Sequence, residues 1–192
     1  MANEFLDALP IQQYVFQDDQ WCERVVGLDK EGKLAWGVQP VHLADLPDLP
    51  ENSVVEMSEA REKFVKDLSA RIRKQHGMGL FIDYGHEKSG IGDTLQGVKK
   101  HQYADILKNC GEVDITSHVD FGRLKKIAEA EHLFVDLHSQ NEFLIKLGIH
   151  IRAEQLMKKS KDIEAGLKRL INETEMGILF KVMMLSKRAL FK

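Results

Sequence analysis

The stretch from Ser58 to Gly85 constrains the fold of this chain more than any other. Phe64, Leu68 and Ile72 recur every four residues, which predicts an amphipathic helix over Glu59 to Gln75. Ser58 stands at the N-cap position, with Glu59 and Glu62 in the first turn, and His76-Gly77 ends the helix. Leu80-Phe81-Ile82 follows. A short apolar run of this kind forms strands covered on both faces, as in a parallel sheet. With a strand over Val54 to Met57 ahead of it, the order strand, helix, strand predicts a right-handed crossover in an α/β sheet.

The flanking segments add to this frame. Ile11 to Phe16 and Trp21 to Leu28 carry alternating or branched apolar residues, and KEGK at 30–33 reads as a hairpin turn into Leu34 to Val38. The proline-bearing segment Val41 to Asn52 reads as a surface loop, and Gly85 to Gly92 as a glycine-punctuated one. Phe121 to Glu131 is a predicted helix, Leu133 to Leu137 a strand. Ser139 to Leu147, Arg152 to Lys159 and Ile163 to Ile171 are predicted helical, and Ile178 to Leu185 a closing strand. The whole, residues 1–192, is read as one partial α/β domain with a β-rich insertion at about 11–50.

Bulk properties exclude several function classes. A net charge of -3, with 30% charged and 43% hydrophobic residues, points to no nucleic-acid or membrane surface as the main partner. No run approaches the ~18 apolar residues of a membrane span. MANEFLDALP has neither the basic start of a secretory signal nor the arginines of a transit peptide. Two distant cysteines, Cys22 and Cys110, indicate a reducing compartment, so a cytoplasmic location is expected.

The sharpest local signal is Leu80-Phe81-Ile82-Asp83-Tyr84-Gly85, an apolar strand ending in a carboxylate, an aromatic and a glycine. Ligands of open α/β sheets bind outside the carboxyl ends of strands, where Asp83 would stand. Asp83 as a turn cap, beside a Gly85 of positive φ, is the plainer alternative. At the N-terminus Asn3, Glu4 and Asp7 place an amide and two carboxylates together; such a pair can fork around a guanidinium, or be a solvated acidic turn. His118 and Asp120 precede the helix from Phe121. Asp120 is a plausible N-cap, and with His101 the pair invites a metal-dependent hydrolase reading. The spacings match no specific metal motif, so no metal is expected. Gly77-Met78-Gly79 and Gly90-Ile91-Gly92 are the only Gly-x-Gly pairs, and neither extends to GxGxxG; there is no P-loop and no GxSxG.

Four segments in order resemble the MidA-like family of S-adenosylmethionine-dependent methyltransferases, whose mitochondrial relatives assist assembly of respiratory complex I. They are ANEFLDALPIQQYVF (2–16), LFIDYGHEKSGIGDTLQGVKKH (80–101), CGEVDITSHVDFGRL (110–124), and QNEFLIKLGIHIRAEQL (140–156) with MGILFKVMML (176–185). WCERVVGLDKEGKLAW and SVVEMSEA between them are also similar, so the likeness covers nearly the whole chain. Departures are small: Gly97 for a usual alanine, Cys110 for a frequent proline, Ser117 for a frequent alanine.

The resemblance implies the C-terminal portion of a Rossmann-like class I methyltransferase sheet with added β-hairpin and helical elements. It also implies S-adenosylmethionine as cofactor and a protein substrate methylated on arginine, with a complex I subunit as the expected partner. Glu4, Asp7 and His118 would be catalytic, with His118 accepting the released proton, because imidazole titrates near neutrality. Asp83, Tyr84 and Asp120 would line the substrate site, and Asn3 would face the methyl group. The location would be cytoplasmic, or the mitochondrial matrix in a eukaryote. The family's first strands and its glycine-rich cofactor loop are not in these 192 residues. The chain is therefore expected to be inactive alone and poorly soluble, or completed by a complementary N-terminal half. A non-catalytic module docking a complex I subunit is the alternative.

Overall fold

A computed structural model describes residues 1–43, 46–100, 102–108, 110–158 and 162–189. His101 and Lys159, both part of the expectations above, lie outside the described residues. The chain divides into two compact units. One comprises Met1–Asp7, Glu62–Ser89 and His118–Lys192; the other comprises Ala8–Arg61 and Gly90–Ser117.

In chain order, β1 (Ala2–Asn3) opens the first unit. β2 (Gln12–Gln17), β3 (Gln20–Leu28), β4 (Leu34–Pro40) and β5 (Val54–Met57) belong to the second. α1 (Glu59–Gln75) begins in the second unit and continues in the first, where β6 (Met78–His86) follows. β7 (Gln96–Lys99), β8 (Gln102–Tyr103) and β9 (Asp114–Thr116) return to the second. The first is completed by β10 (Val119–Asp120), α2 (Phe121–Ala130), β11 (Phe134–Ser139), α3 (Gln140–Lys146), α4 (Ile149–Met157), α5 (Ile163–Ile171), α6 (Met176–Leu179) and β12 (Phe180–Ser186).

The first unit is built on a mixed sheet of order β1-β6-β12-β11, with β10 also on β6. β1 and β10 run parallel to β6, pairing Asn3 with Ile82 and Val119 with Gly85. β12 runs antiparallel to both β6 and β11. Every residue of β12 is buried, which is why Val182 to Leu185 read as a continuous apolar run and not as an alternation. Phe81, Val119, Phe121, Val182, Met183 and Leu185 are each at most 2% exposed and form the centre of this unit's interior.

The helix over Glu59 to Gln75 forms as its apolar spacing dictates. Ser58 caps it, its hydroxyl accepting the Arg61 N–H, and His76 leaves it in the left-handed region at φ 58°. The expected crossover is different in one respect. β5 lies in the second unit, antiparallel to β2, and the parallel partners of β6 are β1 and β10. Val54 of β5 is drawn into a small core with Val15 and Cys22, a choice of partner that its own four residues do not encode. Three boundaries also move. Gly85 and His86 belong to β6 and not to a loop, α4 starts at Ile149 after Gly148 (φ 78°), and Ile178 and Leu179 form the end of α6.

The second unit holds an antiparallel sheet of order β4-β3-β2-β5 and the three-stranded β8-β7-β9. The β3–β4 turn is organised by Asp29, whose carboxylate accepts the N–H groups of Glu31 and Lys33, with Gly32 at φ 77°. The GDTLQ segment is fastened to the four-stranded sheet by polar groups. Glu56 accepts the N–H groups of Thr94 and Leu95 at 2.9 and 3.1 Å and the Thr94 hydroxyl. The Gln13 amide donates to Glu56 and Asp93 at 2.7 and 2.8 Å, and Arg24 pairs with Asp93 at 2.9 Å.

Candidate functional site

The first unit brings most of the candidate residues to one place, the carboxyl ends of β1 and β6. β1 and β10 pair successive stretches of β6 and leave Asp83 and Tyr84 between them. The chain leaving β1 turns sharply there. The Glu4 N–H donates to the Ile82 carbonyl at 2.9 Å, and Glu4 itself sits at φ 46°. That is the left-handed region, costly for a residue with a side chain, and such strain collects where surrounding structure holds a functional geometry.

Asp83 holds the turn. Its Oδ2 accepts three consecutive backbone N–H groups, from Phe5, Leu6 and Asp7, at 3.1, 2.9 and 3.2 Å. Its Oδ1 accepts the Tyr84 N–H at 3.0 Å. The side chain is 1% exposed. Burial, reinforced by the nearby Asp7 charge, pushes its carboxyl up to about 6 against the downward pull of those N–H donors. Asp83 therefore reaches solvent hardly at all and acts on the backbone of the 4–7 turn.

Asp7, buried at 5% exposure, accepts a hydrogen bond of 2.6 Å from the Tyr84 hydroxyl. The Tyr84 ring meets His118 edge-on, centroids 5.6 Å apart, and Phe180 in the same manner at 5.5 Å. A carboxylate, a phenol, an imidazole and a phenyl ring thus form one connected group. Asn3 and Glu4 are exposed beside it, the Asn3 amide donating to Glu4 at 3.3 Å. The sequence did not single out Phe180; its place directly opposite Tyr84 on β12 is a matter of long-range register.

Asp120 takes other partners. It caps α2, accepting the Arg123 N–H at 2.9 Å, and lies 3.9 Å from His86 Nε2. Burial alone would raise its carboxyl. His86, Ser89 and the Arg123 amide outweigh that and hold it below the usual carboxylate range. Asp120→Ala is expected to cost about 1–2 kcal/mol of stability, with Asp120→Asn costing less because the amide oxygen still caps the helix. Urea midpoints for the two variants check the order. Among the described residues no group of three metal-ligating side chains occurs, and His101 lies outside them.

Residues 1–138 match a family described as S-adenosyl-L-methionine-dependent methyltransferase. The chain belongs to this family. It is 32% identical over 197 residues to protein arginine methyltransferase NDUFAF7, mitochondrial, of Danio rerio, covering 94% of this chain and 45% of that protein. The Caenorhabditis elegans homolog is 34% identical over 175 residues, covering 84% and 40%. The chain thus spans less than half the length of these curated relatives. A Burkholderia thailandensis protein crystallised with S-adenosyl-homocysteine superposes with a TM-score of 0.83 at 28% identity, covering 96% of this chain and 52% of that one. A second crystal structure from the same organism gives 0.85 at 28%, covering 96% and 54%. These likenesses establish the Rossmann-like methyltransferase fold that the sequence segments implied. No helix among the described residues is long and apolar enough to cross a membrane.

The side chains at this end of the sheet suit one part of the family's cofactor. A sulfonium is a cation, and the exposed carboxylate of Glu4, the Asp7 carboxylate and the Tyr84 ring are groups that attract cations. They offer less to an anion. The three successive N–H groups of the 4–7 turn would otherwise form an anion nest, and Asp83 already occupies them.

Proposed function

We propose that this chain contributes the acceptor side of an S-adenosylmethionine-dependent protein-arginine methyltransferase. The observation that carries the reading is the Asp7–Tyr84–His118 group at the carboxyl ends of two parallel strands, on a turn clamped by Asp83. S-adenosylmethionine, when bound, supplies an electrophilic methyl group on sulfur. Asn3 and Glu4, at the exposed end of β1, would flank that sulfur. Asp7 and Glu4 would receive the guanidinium N–H groups of an arginine side chain and orient one nitrogen for attack. The Tyr84 hydroxyl keeps Asp7 in one orientation, and His118 beside it would take the proton that the methylated nitrogen releases. Asp83 acts one step back, as the residue that positions the turn. Asp120 acts through the α2 cap and His86.

The names of the relatives support a protein arginine as acceptor and, for a eukaryotic chain, a mitochondrial location. A complex I subunit is the partner we infer from the resemblance. The relatives' greater length supports completion of the cofactor site by a complementary half. Calorimetric titration with S-adenosylmethionine tests this directly, on the chain alone and after addition of the N-terminal half of a relative. Binding is expected only in the second case. In that assembly, at saturating cofactor, Asp7→Asn and Glu4→Gln are expected to lower methyl transfer at least ~100-fold, the scale of a lost orienting group. Absence of binding in both titrations would favour the docking module, and unchanged turnover in both variants would remove the assigned roles.

A further inference from the structure

The β3–β4 hairpin of the second unit carries an apolar ladder open to solvent. Val26 stands opposite Trp36 and Leu28 opposite Leu34, with Val38 two residues further along β4. These five side chains are between 41% and 71% exposed. β4 ends its sheet, and no described strand pairs with its outer edge. Edge strands are ordinarily blunted by charge, by bulges or by shortness. β4 has 7 residues, LAWGVQP, without a charge among them, and only Pro40 at its end interrupts the ladder.

The backbone phase of β4 follows from its two ends. The Asp29 N–H donates to the Lys33 carbonyl, and the Val41 N–H to the Trp21 carbonyl. Antiparallel pairs alternate between bonded and unbonded, so Ala35, Gly37 and Gln39 direct their polar groups at β3. Leu34, Trp36 and Val38 direct theirs outward. The three residues with unpaired edge groups are the same three that present exposed apolar side chains.

We infer that this edge joins two copies of the chain, β4 pairing antiparallel with β4 about a twofold axis at Trp36. A twofold contact requires a surface complementary to itself. The pattern Leu34-x-Trp36-x-Val38 meets that requirement, since reversing it about Trp36 sets Leu34 against Val38 of the second copy and Trp36 against Trp36. Each of these three pairs falls on outward-facing groups, so about six N–H···O bonds close across the axis. No charge on either strand opposes the approach. Such a junction joins two four-stranded sheets into one of eight. It buries on the order of 1,000 Å², near the lower limit for specific interfaces, and so predicts dissociation in the micromolar range.

Sedimentation velocity on the full chain, over about 1–100 μM, reads the equilibrium. A dimer is expected at the upper end, and Trp36→Lys and Leu34→Lys should each weaken it at least 10-fold while far-UV circular dichroism is unchanged. Cys22 is buried and Cys110 exposed, so the second measurement uses a Cys110→Ser background. There Trp36→Cys lies on the axis at about 5.5 Å between Cα atoms, within disulfide reach, and mild oxidation should link the dimer covalently. A chain that is monomeric at 100 μM overturns the inference. So does a dimer indifferent to both lysines that fails to cross-link through Trp36→Cys.

Discussion

Replacing Gly85 with alanine is expected to unfold the first unit at ordinary temperatures. A Cβ at this position would lie 2.0 Å from the Val119 carbonyl oxygen and 2.8 Å from both the carbon and the nitrogen of Val119. All three are backbone atoms, so no rotamer change relieves the clash. Gly85 and Val119 are register partners, and the close approach is the β6–β10 junction itself. Pushing β10 away displaces His118 and Asp120, and with Asp120 the cap of α2. Overpacking in rigid surroundings costs about 3 kcal/mol or more, a large share of a domain's 5–15 kcal/mol. Gly27→Ala is the matched control. It lies in β3 with nothing within 4 Å of the place a Cβ would take, and its effect should stay within about 0.5 kcal/mol. Thermal melts of the two variants decide: similar melting temperatures would show that β10 yields easily.

What the sequence discloses and what it withholds separate along one line, the line between local and long-range causes. The Glu59–Gln75 helix and its Ser58 cap, the β3–β4 hairpin and the helix over Ile163–Ile171 depend on residues within a turn or two of one another, and all were legible. The partner of β5 was not, because Val54, Val55 and Met57 suit any sheet with a vacant apolar face, and the donors that meet Glu56 lie far along the chain. Gly85 read as the start of a loop, with a positive φ as one alternative. It is a strand glycine required by a neighbour 34 positions away, a requirement that no local pattern carries. Gly97 is a similar case. A Cβ there would lie 2.6 Å from the Ala104 carbonyl. The site divides in the same way. Strand ends and carboxylates pointed to Asp7, Asp83 and Tyr84 as candidates, but their different hydrogen-bond partners came only from geometry: one carboxylate turned to the phenol, the other to three backbone amides.

Asp83→Asn is expected to remove a pH dependence of stability that the unchanged chain possesses. The Asp83 carboxyl is held at about 6 by burial and by Asp7, against an ordinary value of 3.8. Between these values the folded chain takes up a proton that the unfolded chain does not. The stabilisation from protonation is therefore fully present below about pH 4 and is lost as pH rises through 6. A shift of this size corresponds to about 3 kcal/mol at most. Asp120 works in the opposite sense, its lowered carboxyl losing stabilisation as pH falls, so a single melting curve mixes the two. The difference between the chain and its Asp83→Asn variant, measured at pH 5 and at pH 7, isolates Asp83. Asparagine keeps an oxygen for the Phe5, Leu6 and Asp7 amides and carries no charge at either pH. The variant should therefore compare better at pH 7 than at pH 5, by on the order of 1 kcal/mol. Asp83→Ala offers the three amides no acceptor and is expected to cost about 3 kcal/mol or more at both. A chain-minus-asparagine difference that does not move with pH would mean that Asp83 stays ionised throughout. The charge that its three amides stabilise would then have outweighed the burial that opposes it.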